Sequence, residues 1–408
     1  MKEIKGGVCA AEGFTAGGIR CGIKKGNSQK KDLALIYSLK PCIVSAMFTT
    51  NKVQAACIQV SKENISDRKL RAVIVNSGNA NACTGDEGLA AAKRMAHLAS
   101  NVLEVDAKDV AVASTGVIGV PLPIEVIEKN INALKASLRD DETGNADALE
   151  AIMTTDTRKK EIAVEIEIDG KAVRIGAMAK GSGMIHPNMA TMLCFITTDA
   201  AIDAAALEKS LNSAVKHSFN RLTVDGDTST NDMVLIMANG EAGNKILTES
   251  DVDFSTFNKA LEYVCIYLTR LMARDGEGAT KLVTVTVTGA SDDFIAEKLA
   301  KSAASSSLVK TACFGADANW GRVLCAMGYA GVDFNAEKTT VNFKSKAGTI
   351  KVCQDGKSIS FSEEKAKEIL SEEEIEICIS LEDGRGSAEV WGCDLTYDYV
   401  KINGDYRS

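Results

Sequence analysis

The sequence has few aromatic residues, no long apolar run and no long run of basic charge. Aromatic residues make up 5% of its 408 positions while hydrophobic residues make up 45%, so an aliphatic interior of the kind found in layered α/β proteins is expected. No apolar stretch approaches the ~18–20 residues that cross a bilayer, and the first residues lack the apolar region of a signal peptide. The net charge of −8 argues against a nucleic-acid partner. These absences predict a soluble, cytoplasmic protein with no membrane partner.

Histidine is also scarce, and cysteine is scattered. Neither His97 nor His217 has a partner at ligand spacing, so no metal site and no bound cofactor are expected. His186, next to Pro187, is interpreted as a loop-fixing residue and not as a base. None of the twelve cysteines forms a C-x-x-C pair, which argues against a disulfide scaffold and predicts reduced thiols.

Hydrophobic periodicity predicts a mixed α/β protein in which strands and helices alternate. The length suggests two or three domains, or two large lobes around one core. A strand is expected to run into the glycine-rich turn that ends at Gly85, and Asp169-Gly170 is expected to join a hairpin over residues 162–178. Further helices are predicted at Leu89–Leu103 and around Leu207, Leu211 and Val215, with strands at Leu282–Ala290, Thr340–Phe343 and Ile375–Leu381.

The stretch KGSGMIHPNMATMLCFITTDA, residues 180–200, places a threonine at the boundary between a loop and an apolar run. Loop residues continue through Ala190, and the apolar run begins at Met192 with no turn residue between them. All four prolines lie before Thr191, so the composition changes at the same place. Threonine begins many strands, which is the ordinary interpretation. The alternative is that Thr191 becomes a chain end.

A threonine at a chain end can act as a nucleophile because its own α-amino group serves as the base. The unperturbed pKa of that group, about 7.7–8.0, lies near working pH. Thr191 gains an amine only if the chain is cut between Ala190 and Thr191, and its hydroxyl can make that cut by attacking the preceding carbonyl. Thr115 and Gly116, in a turn after a short apolar strand, can supply a hydroxyl and a backbone N–H to an oxyanion. The same two residues also suit an ordinary strand-end turn.

Two charged residues extend this hypothesis. Lys180 precedes the glycines of the loop and can lower the pKa of the amine or hold a carboxylate, although most lysines only face solvent. Glu277 lies between two glycines in ARDGEGATK, where its carboxylate can meet an ammonium group of a ligand. A charged surface turn is the alternative interpretation.

The stretch that contains Thr191 closely resembles the self-cleavage segment of the ornithine acetyltransferase (glutamate N-acetyltransferase) family of arginine biosynthesis. The resemblance covers essentially the whole chain and includes, in order, VNSGNANACTG, STGVIG, MTTDT, TVDGDTSTND, ARDGEGATK, FGADANWGR and the tail YVKINGDYRS. Motifs of this length in this order are far more specific than a lone catalytic signature.

The resemblance implies roles for individual residues. Thr191 matches the nucleophile freed by cleavage after Ala190, and Thr115 and Gly116 match the oxyanion-hole pair. The matching substrate-binding positions are Thr154, Lys180, Thr191, Glu277, Asn403 and Ser408. Thr154 has a chemically equivalent neighbour in Thr155, and Ser408 stands where the family often has threonine but retains the hydroxyl.

The resemblance also implies a fold, a reaction and an assembly. The expected fold is a layered mixed α/β structure of the ornithine acetyltransferase and DmpA-like type. A segment 1–190 and a segment 191–408 are expected to remain folded together and to form a heterotetramer of two alpha and two beta segments. The expected reaction transfers an acetyl group from N-acetyl-L-ornithine to L-glutamate through acetyl-Thr191, with no bound cofactor and with acetyl-CoA as a possible second donor.

Two other functions remain open from the residues. An aminopeptidase or amidase with an N-terminal nucleophile would use the same groups, with water in place of glutamate. A non-enzymatic binding protein, in which Thr191 merely begins a strand, would use none of them.

Overall fold

The computed structural model of the chain describes residues 1–24, 29–186 and 192–405. Its described residues divide into two compact units. The first unit comprises those within Met1–Gly181, Asn188–Asn220 and Thr228–Leu268. The second comprises those within Ser182–Pro187, Arg221–Asp227 and Thr269–Ser408.

The first unit is built on one mixed sheet. In the described part of the chain its strands are β1 (Lys2–Ile4), β2 (Phe14–Ile19), β3 (Leu33–Phe48), β4 (Lys69–Asn76), β5 (Val110–Ser114), β6 (Lys160–Ile168), β7 (Lys171–Lys180), β8 (Leu193–Thr198) and β9 (Met233–Ala238). They follow the order β1-β6-β7-β8-β9-β3-β4-β5, and β2 pairs with β3. The pairs β4–β5 and β8–β9 are parallel, and the other neighbours are antiparallel.

Helices pack on this sheet and complete the core of the first unit. They are α1 (Ala56–Asn64), α2 (Gly85–Leu103), α3 (Ile124–Ala136), α4 (Glu142–Ile152), α5 (Ala204–His217) and α6 (Phe254–Arg274), the last of which extends past Leu268. The buried side chains are mainly Ala, Val, Ile and Leu, as the low aromatic content predicts. Helix α5 begins at an Asp203 cap whose carboxylate accepts the N–H groups of Ala205 and Ala206.

The predicted hairpin is confirmed as β6 and β7. Asp169 and Gly170 both adopt positive φ, 52° and 69°, which is the requirement of the two-residue turn that matches strand twist. The apolar run after Thr191 is confirmed as strand β8, with all six residues buried because sheet neighbours flank it on both sides. The sheet of the first unit therefore contains strands from both sides of residue 190.

The second unit contains a smaller mixed sheet in the order β13-β12-β11-β14-β10-β15. Its described elements are β10 (Leu282–Ala290), α7 (Asp293–Ser305), α8 (Ser307–Phe314), α9 (Trp320–Gly328), β11 (Thr340–Ser345), β12 (Gly348–Gln354), β13 (Lys357–Ser358), α10 (Glu363–Leu370), β14 (Glu374–Ser380), β15 (Gly386–Cys393) and α11 (Tyr397–Gly404). Strand β10 has the bounds that its alternating pattern predicts. The later strands are confirmed with small changes at their ends.

These sheets and helices confirm the mixed α/β class. All twelve cysteines are free, and burial raises the pKa of the Cys57 thiol to about 11, so it behaves as a small apolar side chain. Within residues 1–24, 29–186 and 192–405, no helix combines the length and the apolar character needed to cross a membrane.

Candidate active site

Three of the residues assigned from the sequence lie outside the described residues. They are Ala190 and Thr191, which form the predicted cleavage site, and Ser408 at the end of the chain. The other assigned residues are described, with Thr115, Gly116, Thr154 and Lys180 in the first unit and Glu277 and Asn403 in the second.

The chain is firmly held directly after the predicted cleavage site. Met192 is 2% exposed, and its N–H donates to Oδ1 of Asp232 at 3.0 Å. Leu193 then begins β8 and pairs with Lys180 of β7 on one side and with Met233 of β9 on the other. The first described residue after the predicted cleavage site is therefore held by Asp232, and the strand that follows it is paired on both sides.

The turn after β5 holds the predicted oxyanion pair. Thr115 is buried, and its N–H donates to the Asn76 carbonyl at 3.0 Å. Gly116 has φ +134°, and a Cβ there would lie 2.6 Å from the Gly78 carbonyl carbon and 2.7 Å from the Asn79 nitrogen. Only glycine satisfies both the backbone angle and the close approach. Gly116 is thus required by the geometry of the turn as well as by the family motif.

Lys180 orients the Thr115 hydroxyl. Its Nζ lies at the end of β7, is buried with the rest of the side chain, and donates to Thr115 Oγ1 at 3.3 Å. An ammonium group has no lone pair, so Thr115 Oγ1 must accept this bond, and its own proton remains available for donation. A hydroxyl in this state has the polarity that an oxyanion requires.

Asp156 joins Thr154 to the end of β7. Its carboxylate accepts the N–H of Gly181 at 2.7 Å and the N–H of Thr154 at 2.9 Å, and it forms a buried ion pair with Lys160 at 2.7 Å. Burial by itself raises the pKa of Asp156, but the charges of Lys160 and Lys180 overcome this and hold the pKa below its usual range. The structure therefore brings Thr154 and Lys180 together around one ionised carboxylate.

The second unit brings Glu277 and Asn403 together. Asn403, on α11, donates its side-chain N–H to Glu277 Oε2 at 2.8 Å, and the Glu277 N–H donates to the Ser182 carbonyl at 2.8 Å. A Cβ at Gly183 would overlap the Glu277 carboxylate, so glycine is required there. Two residues that lie 126 positions apart in the chain are thus hydrogen-bonded partners.

The loop that leads to the cleavage site is held by Asp225, also in the second unit. Its carboxylate accepts the N–H groups of Met184 at 2.6 Å and Ile185 at 2.8 Å, while Met184 adopts a positive φ of 57°. Tyr399 donates its hydroxyl to the same carboxylate at 3.2 Å. Nδ1 of His186 lies 3.2 Å from the Thr223 hydroxyl, and burial lowers the pKa of His186.

Sequence reasoning missed three carboxylates, Asp156, Asp225 and Asp232. All three lie inside motifs that carried the resemblance, MTTDT and TVDGDTSTND, so family membership was the only signal that singled them out. No group of three or more metal-binding side chains is present in the described part of the chain.

Comparison with known proteins identifies the family. The ArgJ family model matches residues 15–408. A protein of Caldanaerobacter subterraneus subsp. tengcongensis named arginine biosynthesis bifunctional protein ArgJ is 50% identical over 408 residues, which is 100% of both chains. A crystal structure of arginine biosynthesis bifunctional protein ArgJ from Bacillus halodurans is 48% identical with a TM-score of 0.50, and the match covers 52% of this chain and 97% of that one. A structure of ornithine acetyltransferase complexed with ornithine from Mycobacterium tuberculosis is 35% identical with a TM-score of 0.43, covering 46% and 98%. The chain belongs to the ArgJ family, which confirms the membership predicted from its motifs.

Proposed function

We propose that this chain transfers an acetyl group from N-acetyl-L-ornithine to L-glutamate in arginine biosynthesis, after it cuts itself between Ala190 and Thr191. The observation that carries this proposal is the register of β7 and β8. Leu193, two residues after Thr191, pairs with Lys180, whose ammonium group bonds to the Thr115 hydroxyl. The strand that follows the nucleophile is therefore anchored to the residue that orients an oxyanion donor.

The cut needs no group beyond the chain and water. The Thr191 hydroxyl oxygen attacks the Ala190 carbonyl carbon, the peptide C–N bond breaks, and the hydroxyl proton goes to the released nitrogen. Water then hydrolyses the ester, which leaves a carboxylate on Ala190 and a free amine on Thr191. The solved Bacillus halodurans chain supports this proposal. The match covers 97% of that chain but only 52% of the present one, so the solved chain has about the length of one of the two segments.

The two segments are expected to stay together after the cut. Strand β7 precedes the cut and β8 follows it, and the two pair over six residues in the middle of the first sheet. Their separation would expose β8, all six residues of which are buried. We propose that the segments remain one protomer, that protomers assemble into a heterotetramer of two alpha and two beta segments, and that the reaction takes place in the cytoplasm.

Acetyl transfer then follows a two-step course. The Thr191 hydroxyl loses its proton to the Thr191 amine and attacks the acetyl carbonyl, while the Thr115 hydroxyl and the Gly116 N–H hold the oxyanion. Ornithine leaves with the proton, and acetyl-Thr191 remains. The α-amine of glutamate attacks this ester and departs as N-acetyl-L-glutamate, which regenerates the hydroxyl and the amine.

The substrate-binding roles differ in kind. Glu277 holds the ammonium group of the ligand. Asn403 keeps the Glu277 carboxylate in place, and the hydrogen bond between the two side chains supports this role. Thr154 and Ser408 bind polar ends of the amino acid. Lys180 has the additional role of orienting Thr115. The name of the relatives includes the word bifunctional, which supports acetyl-CoA as a second acetyl donor to glutamate.

The test combines mass spectrometry with a product assay. Denatured wild-type protein should show pieces of residues 1–190 and 191–408, and Thr191→Ala should remain uncut and inactive. Thr191→Ser is the matched control, because it keeps the hydroxyl and should still cut and transfer. Transferase activity in Thr191→Ala, or full activity in an intact chain, would overturn the proposal.

The product distinguishes transfer from hydrolysis. Incubation with N-acetyl-L-ornithine and glutamate should yield N-acetylglutamate and ornithine in equal amounts. Free acetate in place of N-acetylglutamate would instead assign an amidase. A reaction with acetyl-CoA and glutamate alone tests the second donor.

A further inference from the structure

Asp232 is a buried carboxyl group that the mechanism above does not use. It lies directly before β9 and is 1% exposed. Oδ1 accepts the Met192 N–H at 3.0 Å. Oδ2 is buried without a hydrogen-bond partner among the described residues. Buried carboxylate oxygens nearly always have partners, so an unpaired one at this place needs an explanation.

The surroundings of Asp232 compensate only part of the cost of burying its charge. Burial raises the pKa of Asp232 well above its usual value, although the Met192 amide and the charge of Lys180 act in the opposite direction. Lys180 faces it from the end of β7, and the hydroxyls of Ser229, in the preceding loop, and of Thr49, directly after β3, also act to lower its pKa. The structure thus holds a carboxyl group that would gain from one more positive or donating neighbour.

The parallel register of β8 and β9 places this group beside the point where the later segment begins. Leu193 pairs with Met233, so Asp232 stands level with Met192. One oxygen is occupied by the amide of Met192. The α-amino group that a cut before residue 191 would create is one residue away along the covalent chain. It is the one new cationic group that the proposed reaction adds at this end of β8.

We propose that Asp232 is a positioning residue for acetyl transfer, whose unpartnered oxygen accepts a hydrogen bond from the Thr191 α-amino group. The inference rests on the proposed function. When the hydroxyl proton moves to the amine and the bond from oxygen to the acetyl carbon forms, Asp232 stabilises the resulting ammonium group. The ammonium group later returns the proton to the departing ornithine amine, so Asp232 itself remains unchanged. The acidic member of a serine–histidine–aspartate triad acts on its base in the same way.

This role predicts that Asp232→Asn folds and matures. Asn keeps an oxygen for the Met192 N–H and removes a charge whose burial is unfavourable. A group whose folded pKa is raised stabilises the fold below its unfolded pKa and loses that contribution as pH rises through the folded pKa. At pH above that folded value, the variant should therefore melt no lower than the wild type. The precursor has no amine at residue 191, so self-cleavage should also continue.

The test compares Asp232→Asn with Asp199→Asn in the full-length, self-cleaved protein. Asp199 follows the opposite end of β8, is 1% exposed, and accepts the N–H groups of Arg174 at 2.7 Å and Glu12 at 3.0 Å. Burial raises its pKa too. It lies about 20 Å along the strand from Met192, so it reports the effect of neutralising a buried carboxyl group away from the chemistry.

The expected result is a loss of turnover with normal maturation. Asp232→Asn should lower kcat per cut protomer by about 10²-fold, with KM within about threefold of the wild type. In a plot of kcat against pH, the part where kcat rises with pH (the rising limb) should move to lower pH. The reason is that the Thr191 amine loses the neighbouring carboxylate that raises the pKa of the amine. Asp199→Asn should keep both kcat and the position of that limb.

Three results would overturn the inference while leaving the proposed function intact. They are an unchanged pH limb in Asp232→Asn, wild-type kcat in that variant, or a complete failure of that variant to cut while Asp199→Asn cuts normally. The last would assign Asp232 to maturation. Failure of the proposed function itself appears elsewhere, as a wild-type chain that neither cuts nor transfers.

Discussion

Replacement of Thr115 by valine tests whether its hydroxyl stabilises the transition state. Valine has nearly the same shape and the same β-branched backbone preference, so the turn after β5 should keep its conformation. The variant loses the hydroxyl that accepts a hydrogen bond from the Lys180 ammonium group at 3.3 Å and that can donate its own proton to an oxyanion. Removal of one oxyanion donor lowers kcat about 10²–10³-fold, or about 2.7–4 kcal/mol. A hydrogen bond to a charged group contributes about 1.5–3 kcal/mol to stability, so the melting temperature should also fall.

The assay should separate these two effects. Initial rates with saturating N-acetylornithine and glutamate give kcat, and a thermal melt gives stability. Thr339→Val is the matched control, because Thr339 is also buried and its hydroxyl donates to the Asn335 carbonyl at 3.2 Å in the second unit. It should lose stability and keep kcat. A kcat for Thr115→Val within about threefold of the wild type would refute the oxyanion role.

Three further substitutions test other parts of the site. Gly116→Ala should lower kcat at least about tenfold, because the added Cβ would overlap the backbone of Gly78 and Asn79. Gly119→Ala is the control: Gly119 also has a positive φ but open space around it, so the substitution should cost only backbone strain of about 1–3 kcal/mol. Equal losses of kcat in the two variants would contradict this reasoning. Gly183→Ala should displace the Glu277 carboxylate and raise KM with little change in melting temperature, and an unaltered KM would show that Glu277 does not bind substrate. Asp156→Asn should reduce the free energy of unfolding by about 3–5 kcal/mol at pH 7 because it removes the carboxylate that balances the charge of buried Lys160. Since the folded pKa of Asp156 is depressed, its contribution exists above the unfolded pKa of about 3.9 and disappears as pH falls through the folded pKa, so chemical denaturation at two pH values checks the sign.

Local patterns were sufficient to predict much of the fold. The alternation of Leu282–Ala290 and the turn residues Asp169-Gly170 act over a few positions, so they identify a strand and a hairpin without knowledge of the rest of the chain. The motifs also led to the prediction that Glu277 and Asn403 bind substrate. Their hydrogen bond across 126 positions follows from family membership and not from any pattern in the residues.

The pairing of β8 with β9 was not accessible from the sequence alone. Parallel neighbours are joined by a long connection, here residues 199–232, and no turn chemistry encodes their register. Without that register, Asp232 is only one of several polar residues in TVDGDTSTND. The same holds for Asp225, whose bonds to Met184 and Ile185 depend on a loop 40 positions earlier.

Asp156 and Asp232 show how the same fold treats two buried carboxyl groups near one lysine. Asp156 has Lys160 at 2.7 Å and two backbone N–H donors, so burial of its charge is compensated and its pKa falls. Asp232 has one backbone N–H donor, and its other oxygen has no hydrogen-bond partner among the described residues, so burial raises its pKa. If Asp232 served only the stability of the fold, replacing it with asparagine would remove an unfavourable buried charge and would leave kcat unchanged. The presence of that carboxyl group beside Met192 is explained if a partner arrives after folding, and the amine released by cleavage before Thr191 is a partner of the required charge.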